Sequence, residues 1–255
     1  MPNHLQFFLD DCVKKYNQSA FILYDPVSIP HRFSKLQDIE IIGFWTAMLA
    51  WGQRKTIIKS GLQLCTLMDN APHDFVVHHQ PTDLKPFLQF KHRTFQATDV
   101  LYFLAFFQAY YRRYQSLELA FTKGLAPNDC DITNALIQFH ETFFSLPDAP
   151  QRTRKHIASP ATKSTCKRLN MFLRWMVRKD ASGVDFGLWQ CIRPSQLLIP
   201  LDVHVERIAR QLGLLQRPQR DWKAVQELTT ALRQFDADDP VKYDFALFGL
   251  GVMPD

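Results

Sequence analysis

The sequence predicts an all-α protein, and three observations carry the prediction. Nowhere does the strict apolar–polar alternation of a half-buried strand persist. Apolar residues instead recur at three- and four-residue spacing in one segment after another, and proline or glycine stands at the ends of those segments. No internal repeat or low-complexity tract interrupts them. With 46% apolar residues in 255, the chain has ample material for a real core. The expected arrangement is two helical lobes with a central cleft, one built from residues 1–150 and one from 151–255, or a single cooperative unit of the two.

The elements run in order along the chain. Leu5 to Tyr16 reads as a short amphipathic helix, separated from the core by a loop containing Pro26 and Pro30. Asp38 to Trp51 has acids in its first turn and Gly52 at its end, and it is apolar on nearly every side, which predicts a buried central helix. Gln53-Arg54-Lys55 then forms a polar turn at the exposed end of a rigid element. Thr56 to Met68 is a further amphipathic segment, and Pro72, Pro81 and Pro86 punctuate the poorly periodic stretch after it. Thr98 to Arg112 is crowded with Leu101, Tyr102, Phe103, Leu104, Phe106, Phe107, Tyr110 and Tyr111, an aromatic run at helical spacing that predicts core. Leu117 to Thr122 and Ile132 to Leu146 are helical, and Pro147 and Pro150 end the latter at the natural linker of the chain. Thr165 to Arg178 reads as a basic amphipathic helix with Leu169, Phe172, Leu173 and Met176 inward. An irregular connection from Ala181 to Pro200 leads to three final helices, opened by Asp202, Asp221 and Asp239-Pro240.

Several function classes fall away. No run of eighteen uncharged apolar residues exists, and the first residues lack the basic and apolar regions of a signal peptide, so a soluble, cytoplasmic monomer without a membrane partner is expected. Five scattered cysteines, none spaced C-x-x-C, argue against a disulfide framework, a zinc site or an iron–sulfur cluster. His73, His78, His79 and His92 lack metalloprotease spacing and read as packing or surface residues. No metal and no cofactor is expected.

A net charge of +5 and a pI near 8.9 decide little by themselves. Their distribution says more. Between Gln151 and Asp180 stand Arg152, Arg154, Lys155, Lys163, Lys167, Arg168, Arg174, Arg178 and Lys179, opposed only by Asp180. Such a local excess is either a phosphate-contacting surface or a solvated helix face with a charged loop before it.

The sharpest signal is Pro200-Leu201-Asp202-Val203-His204-Val205, continued by Arg207-Ile208-Ala209 and Leu212-Gly213. Pro200 disfavours helix at Ile199, so Asp202 becomes the N-cap of a helix whose apolar face is Val205, Ile208, Ala209 and Leu212. A carboxylate in that position is aimed and rigid, and the helix dipole favours its charge.

This segment resembles the one that carries the catalytic aspartate in the helix-hairpin-helix DNA glycosylases, above all in the 8-oxoguanine branch. The chain as a whole is also similar to an uncharacterised bacterial family that is itself a remote relative of those enzymes. That likeness rests on Leu49-Ala50-Trp51-Gly52-Gln53-Arg54, on Cys166 to Arg178 and on Asp239 to Gly251. The glycosylase resemblance implies that Asp202 stabilises a cationic sugar and that Lys167 matches the lysine that forms a Schiff base in bifunctional members. It places His204 near the DNA backbone and Gln53 as a wedge behind an extruded base, where the plain alternative is a polar turn. Arg54, Arg152, Arg154, Lys163 and Arg168 would contact phosphates. The cations beside Lys167, namely Arg168 and Lys163, suit an amine that must lose its proton to attack.

Two departures from that pattern predict changes. The hairpin glycines of the glycosylases lie four and two residues before the lysine, where this chain has Lys163 and Thr165. Both side chains resist positive φ, so the hairpin is expected to be rebuilt or to lack its bound cation. The 35 residues from Lys167 to Asp202 also make a longer connection than the glycosylases use. The first functional reading is therefore a base-excision DNA glycosylase, with or without lyase activity, acting on a damaged base in duplex or single-stranded DNA, an oxidised purine first. The alternative is a catalytically silent nucleic-acid-binding protein of the same fold. A third reading pairs Asp185 with Asp202 as catalytic carboxylates in an unrelated helical enzyme.

Overall fold

The computed structural model describes residues 2–252 and is all-α. Among the described residues the helices are α1 (Pro2–Tyr16), α2 (Ser19–Ile22), α3 (Leu36–Met48), α4 (Arg54–Leu67), α5 (Pro72–His78), α6 (Ala97–Tyr111), α7 (Glu118–Thr122), α8 (Thr133–Phe143), α9 (Lys167–Val177), α10 (Val203–Gln211), α11 (Trp222–Arg233) and α12 (Tyr243–Val252), joined by short 3-10 turns. The sole strand-like feature among them is one isolated bridge between His92 and Phe95. No helix is long and apolar enough to cross a membrane.

The chain divides into two compact units, and the division does not fall at residue 150. One unit comprises Met1–Leu23, Leu125–Ile137 and Ser159–Asp255, the other Tyr24–Gly124 and Gln138–Ala158, so the boundary cuts through α8. Physical ties explain the difference. The 151–158 stretch stays with the second unit because Arg152, Thr153 and His156 all converge on buried Asp99, at 3.3, 2.7 and 3.4 Å. The 125–137 stretch joins the first unit through Gln196 donating to the Asp129 carbonyl at 2.9 Å and the Trp222 indole donating to Thr133 Oγ1 at 3.1 Å.

The second unit is built around α3. Every residue of α3 from Ile39 to Met48 is buried, as the absence of a polar face predicts. Phe44 packs against Phe103, Phe107, Phe139 and Phe143 with ring centroids 5.6–5.9 Å apart. Trp45 meets Phe103 at 4.9 Å. The aromatic run of α6 is therefore core. Glu40, read from the sequence as a first-turn acid, is fully buried. It accepts bonds from Tyr111 Oη at 2.9 Å, Ser116 Oγ at 2.6 Å and the Leu117 amide at 3.0 Å, which satisfy a carboxylate that water cannot reach.

In the first unit α12 packs against both α1 and α10. Tyr243 Oη donates to Asp10 at 3.0 Å, and Lys242 bridges Asp10 at 3.5 Å and Asp236 at 2.6 Å. Gly249 lets the two helices close: a Cβ there would fall on the ring of Tyr16. Gly249→Ala should push α1 off α12 and cost about 1–3 kcal/mol, read as a lowered urea midpoint with unchanged slope. An unchanged midpoint would mean that the Tyr16 ring rotates freely out of the way.

Candidate active site around Lys167 and Asp202

Three local features of the first unit build the site. The first is the segment before α10. Leu197, Leu198, Ile199 and Leu201 are buried, and the Ile199 amide donates to Thr229 Oγ1 at 3.1 Å, so Pro200 leaves a fixed extended stretch. Asp202 comes next with extended backbone and caps α10: Oδ1 accepts the amides of His204 at 2.9 Å and Val205 at 3.0 Å. One oxygen is thereby used up by the helix, and the other is aimed.

The second feature is the turn before α9. Lys163 sits in the left-handed region at φ 61°, and so does Cys166 at φ 49°. Lys163 adopts the positive φ that its side chain was expected to resist, and Thr165 does not: the left-handed residues of this turn are 163 and 166. Bonds offset the strain. The Lys163 amide donates to the Pro160 carbonyl at 2.8 Å and its carbonyl accepts the Trp222 amide at 3.1 Å. Lys167 is then the first residue of α9.

The third feature ties the first two together. The buried Asn170 side chain donates to the Thr165 carbonyl at 3.2 Å and the Ile199 carbonyl at 3.4 Å, fastening the start of α9 to the segment that leads into α10. As a result Lys167 Nζ lies 4.0 Å from Asp202 Oδ2. Their side chains keep 26% and 21% of their exposure, so a reacting atom from solution can reach both. Lys167 Nζ also lies 3.7 Å from Met171 Sδ, and Val203 beside Asp202 leaves an apolar side chain 55% exposed.

Beneath this pair is a network of buried charges that the sequence did not disclose. Arg174 is ion-paired with Asp244 and binds Asp185 at 3.2 Å. Arg178 binds Asp180 at 2.6 Å, Asp185 at 3.1 Å and Asp239 at 2.8 Å. Arg174 and Arg178, counted in the sequence among basic residues of a phosphate-facing surface, are 4% and 3% exposed and serve the interior. Burial pushes the Asp185 carboxyl up, against the pull of Arg174 and Arg178. Asp185 cannot share a substrate with Asp202 from that position, which removes the paired-carboxylate reading. Burial likewise raises Asp244 to about 6, opposed by Arg174 and reinforced by Asp202. The 181–200 connection packs against the C-terminal half of α9: Phe186 and Leu188 amides donate to the Trp175 and Met176 carbonyls, and Trp189 meets Phe172 edge-on at 5.4 Å.

The other predicted site residues divide between the units. Lys163, Arg168 and His204 share the first unit with the pair. Lys163 is exposed; Arg168 is half-buried, and burial pulls its pKa down to about 10. His204 Nδ1 stands 3.2 Å from the Gly251 carbonyl, and because a carbonyl only accepts, that nitrogen carries the hydrogen. Arg207 Nη2 donates to the same carbonyl at 2.7 Å. Gln53, Arg54, Arg152 and Arg154 belong to the second unit. Gln53 is exposed as the residue before α4 and Arg54 opens that helix. Arg152 is held by Gln96 Oε1 at 2.6 Å and the Thr94 carbonyl at 2.9 Å as well as by Asp99, and Arg154 lies over the Phe144 ring at 4.7 Å.

Among the described residues no group of three His, Cys, Asp or Glu is placed to hold a metal ion. Cys12, Cys65 and Cys166 are buried thiols, Cys130 and Cys191 exposed ones, and burial pushes Cys166 up to about 12. No curated protein and no solved structure matches the chain. One family model does, over residues 25–253, which takes in α3 to α12 with Lys167, Asp202 and the buried network. The chain belongs to the family described as "Protein of unknown function (DUF2400)".

Proposed function

We propose that this protein is a DNA glycosylase in which Lys167 and Asp202 work on one sugar, with a damaged base, an oxidised purine first, as substrate. The observation that carries the reading is the 4.0 Å approach of Lys167 Nζ to Asp202 Oδ2, with both groups open to solvent and both held by fixed backbone. The glycosylase resemblance of the Asp202 segment supports it independently of that distance. Asp202 supplies a negative charge where the sugar becomes cationic. The Nζ–C1′ bond forms as the C1′–N bond to the base breaks. The base leaves with the bonding electron pair and takes up a proton released by the amine. The nitrogen lone pair then expels O4′, which leaves with the C1′–O4′ pair and takes a proton from water, and the opened sugar is held as a protonated iminium on Lys167.

Borohydride tests this directly by reducing the iminium to a stable amine. A covalent adduct is expected with an oligonucleotide that carries an oxidised purine, and none with Lys167→Gln. DNA binding should survive that substitution and weaken with added salt, since it rests on phosphate contacts from Lys163 and Arg168, with His204, in the first unit, and from Arg54, Arg152 and Arg154, with Gln53, in the second. Salt-sensitive binding without adduct or base release, on a panel of oxidised, deaminated and alkylated bases, would sink the glycosylase and leave a silent binder.

A further inference from the structure

Asp244 is a buried carboxyl that makes no direct contact in the glycosylase chemistry proposed for Lys167 and Asp202, and three helices bring it to the candidate site. It lies in the first turn of α12, which packs along α10, the helix capped by Asp202. Arg174, two turns along α9 from Lys167 and on the same face, holds it in an ion pair while binding Asp185 at 3.2 Å through Nε. The guanidinium stacks on the Phe245 ring at 4.3 Å, which fixes the side chain that fixes Asp244.

We propose that Asp244 is a positioning residue of the Lys167–Asp202 site: with Arg174 it sets the charge beneath the reacting pair, lending a second negative charge to the cationic sugar. This rests on the glycosylase reading of the pair.

The charge is switchable. Burial raises the carboxyl to about 6; Arg174 and Lys167 pull it down, Asp202 and Asp185 push it up. The charges that act on it are Arg174 and Lys167 on α9, Asp185 before α10 and Asp202 at the α10 cap; Arg178 and, through it, Asp239 join the network at Asp185. On α1, Asp10 binds Tyr243 and Lys242. Above pH 6 Asp244 is charged and the pair has its second anion; below it the charge is gone.

The linkage runs the opposite way. A carboxyl raised by folding binds more protons folded than unfolded between the ordinary carboxylate range and pH 6. Its contribution to stability therefore falls as pH rises through that window. Activity should rise over the interval in which this contribution declines, whereas a purely structural ion pair would move both together.

Two measurements test the role on wild type, Asp244→Asn and Asp244→Glu. The first needs no substrate: the Lys167 Cε carbon resonance should carry a titration step near pH 6 that vanishes in Asp244→Asn and returns in Asp244→Glu. The second is base release from an oxidised-purine oligonucleotide between pH 5 and 8. Wild-type kcat should fall by up to about tenfold below the step and then level off at the Asp244→Asn value, as for loss of one supporting ionised group. In Asp244→Asn, kcat at pH 7.5 should be about tenfold lower with KM unchanged, and the acid limb should be missing. A Lys167 resonance without the step, or with a step that persists in Asp244→Asn, overturns the inference whatever the activity. Base release with one pH profile for wild type and Asp244→Asn overturns it too and leaves the glycosylase standing. A correct step with no base release from any lesion overturns the glycosylase reading and, with it, the role in catalysis.

Discussion

Asp202→Asn should lower base release by about 10²- to 10³-fold, as the removal of one preorganised electrostatic group does in other enzymes, while the protein stays folded. Asparagine caps a helix nearly as well as aspartate, so the amides of His204 and Val205 keep an acceptor. The lost interaction with Lys167 is a part-exposed pair at 4.0 Å, whose contribution to stability is small. The urea midpoint should therefore shift by less than about 1 kcal/mol equivalent, and kcat alone should collapse. If kcat survives, Asp202 is a cap and nothing more. If kcat and stability fall together, the helix rather than the charge has been lost.

Arg178→Met should be the most damaging substitution for the fold itself. It leaves Asp180, Asp185 and Asp239 without the buried cation they share, Asp185 fully buried and the other two only partly open to water. Removing one partner of a buried ionic cluster costs about 3–5 kcal/mol, much of it the penalty of the stranded charges. Asp185 and Asp239 are already raised by burial, and without Arg178 they rise further. The folded state then binds protons that the unfolded state does not, so the deficit relative to wild type should be largest near pH 8 and should shrink toward pH 5. Urea unfolding at those two pH values measures it. A deficit independent of pH would mean that lost packing, not charge, is the cause.

Much of this site was legible in the sequence because it is local. Pro200 before Asp202, with apolar residues at helical spacing after it, is enough to place a cap, and the cap has the bonds that such a motif requires. Lys167 opens α9, two residues after the helix start that apolar spacing placed at Thr165. What could not be read is what depends on distant partners. Arg174 and Arg178 look like a basic stripe beside Lys167 and Asn170 because helical spacing puts them on one face. Their acids stand at 180, 185, 239 and 244, and no spacing rule connects Arg178 to Asp239 or Arg174 to Asp244, 61 and 70 residues away. Asp244 went unseen for the same reason. Steric preference spoke against positive φ at Lys163, and tertiary bonds overrode it. Proline at 147 and 150 marked a turn correctly but not a boundary, since Thr153 and His156 return to Asp99.

The division of the chain also sets an order of events during synthesis. Translation delivers α1 first, yet its partner α12 opens only at residue 243. The second unit ends at residue 158 and can close on its aromatic core while the ribosome still holds α9 to α12. Until the last helix emerges, α1 must wait with its contact face uncovered, and the carboxyl of Asp10 has neither Tyr243 nor Lys242 to bind. Asp202 and Lys167 therefore meet in a unit that cannot close before α12 is made, so a chain stalled ahead of α12 should fold its second unit while its first unit stays open.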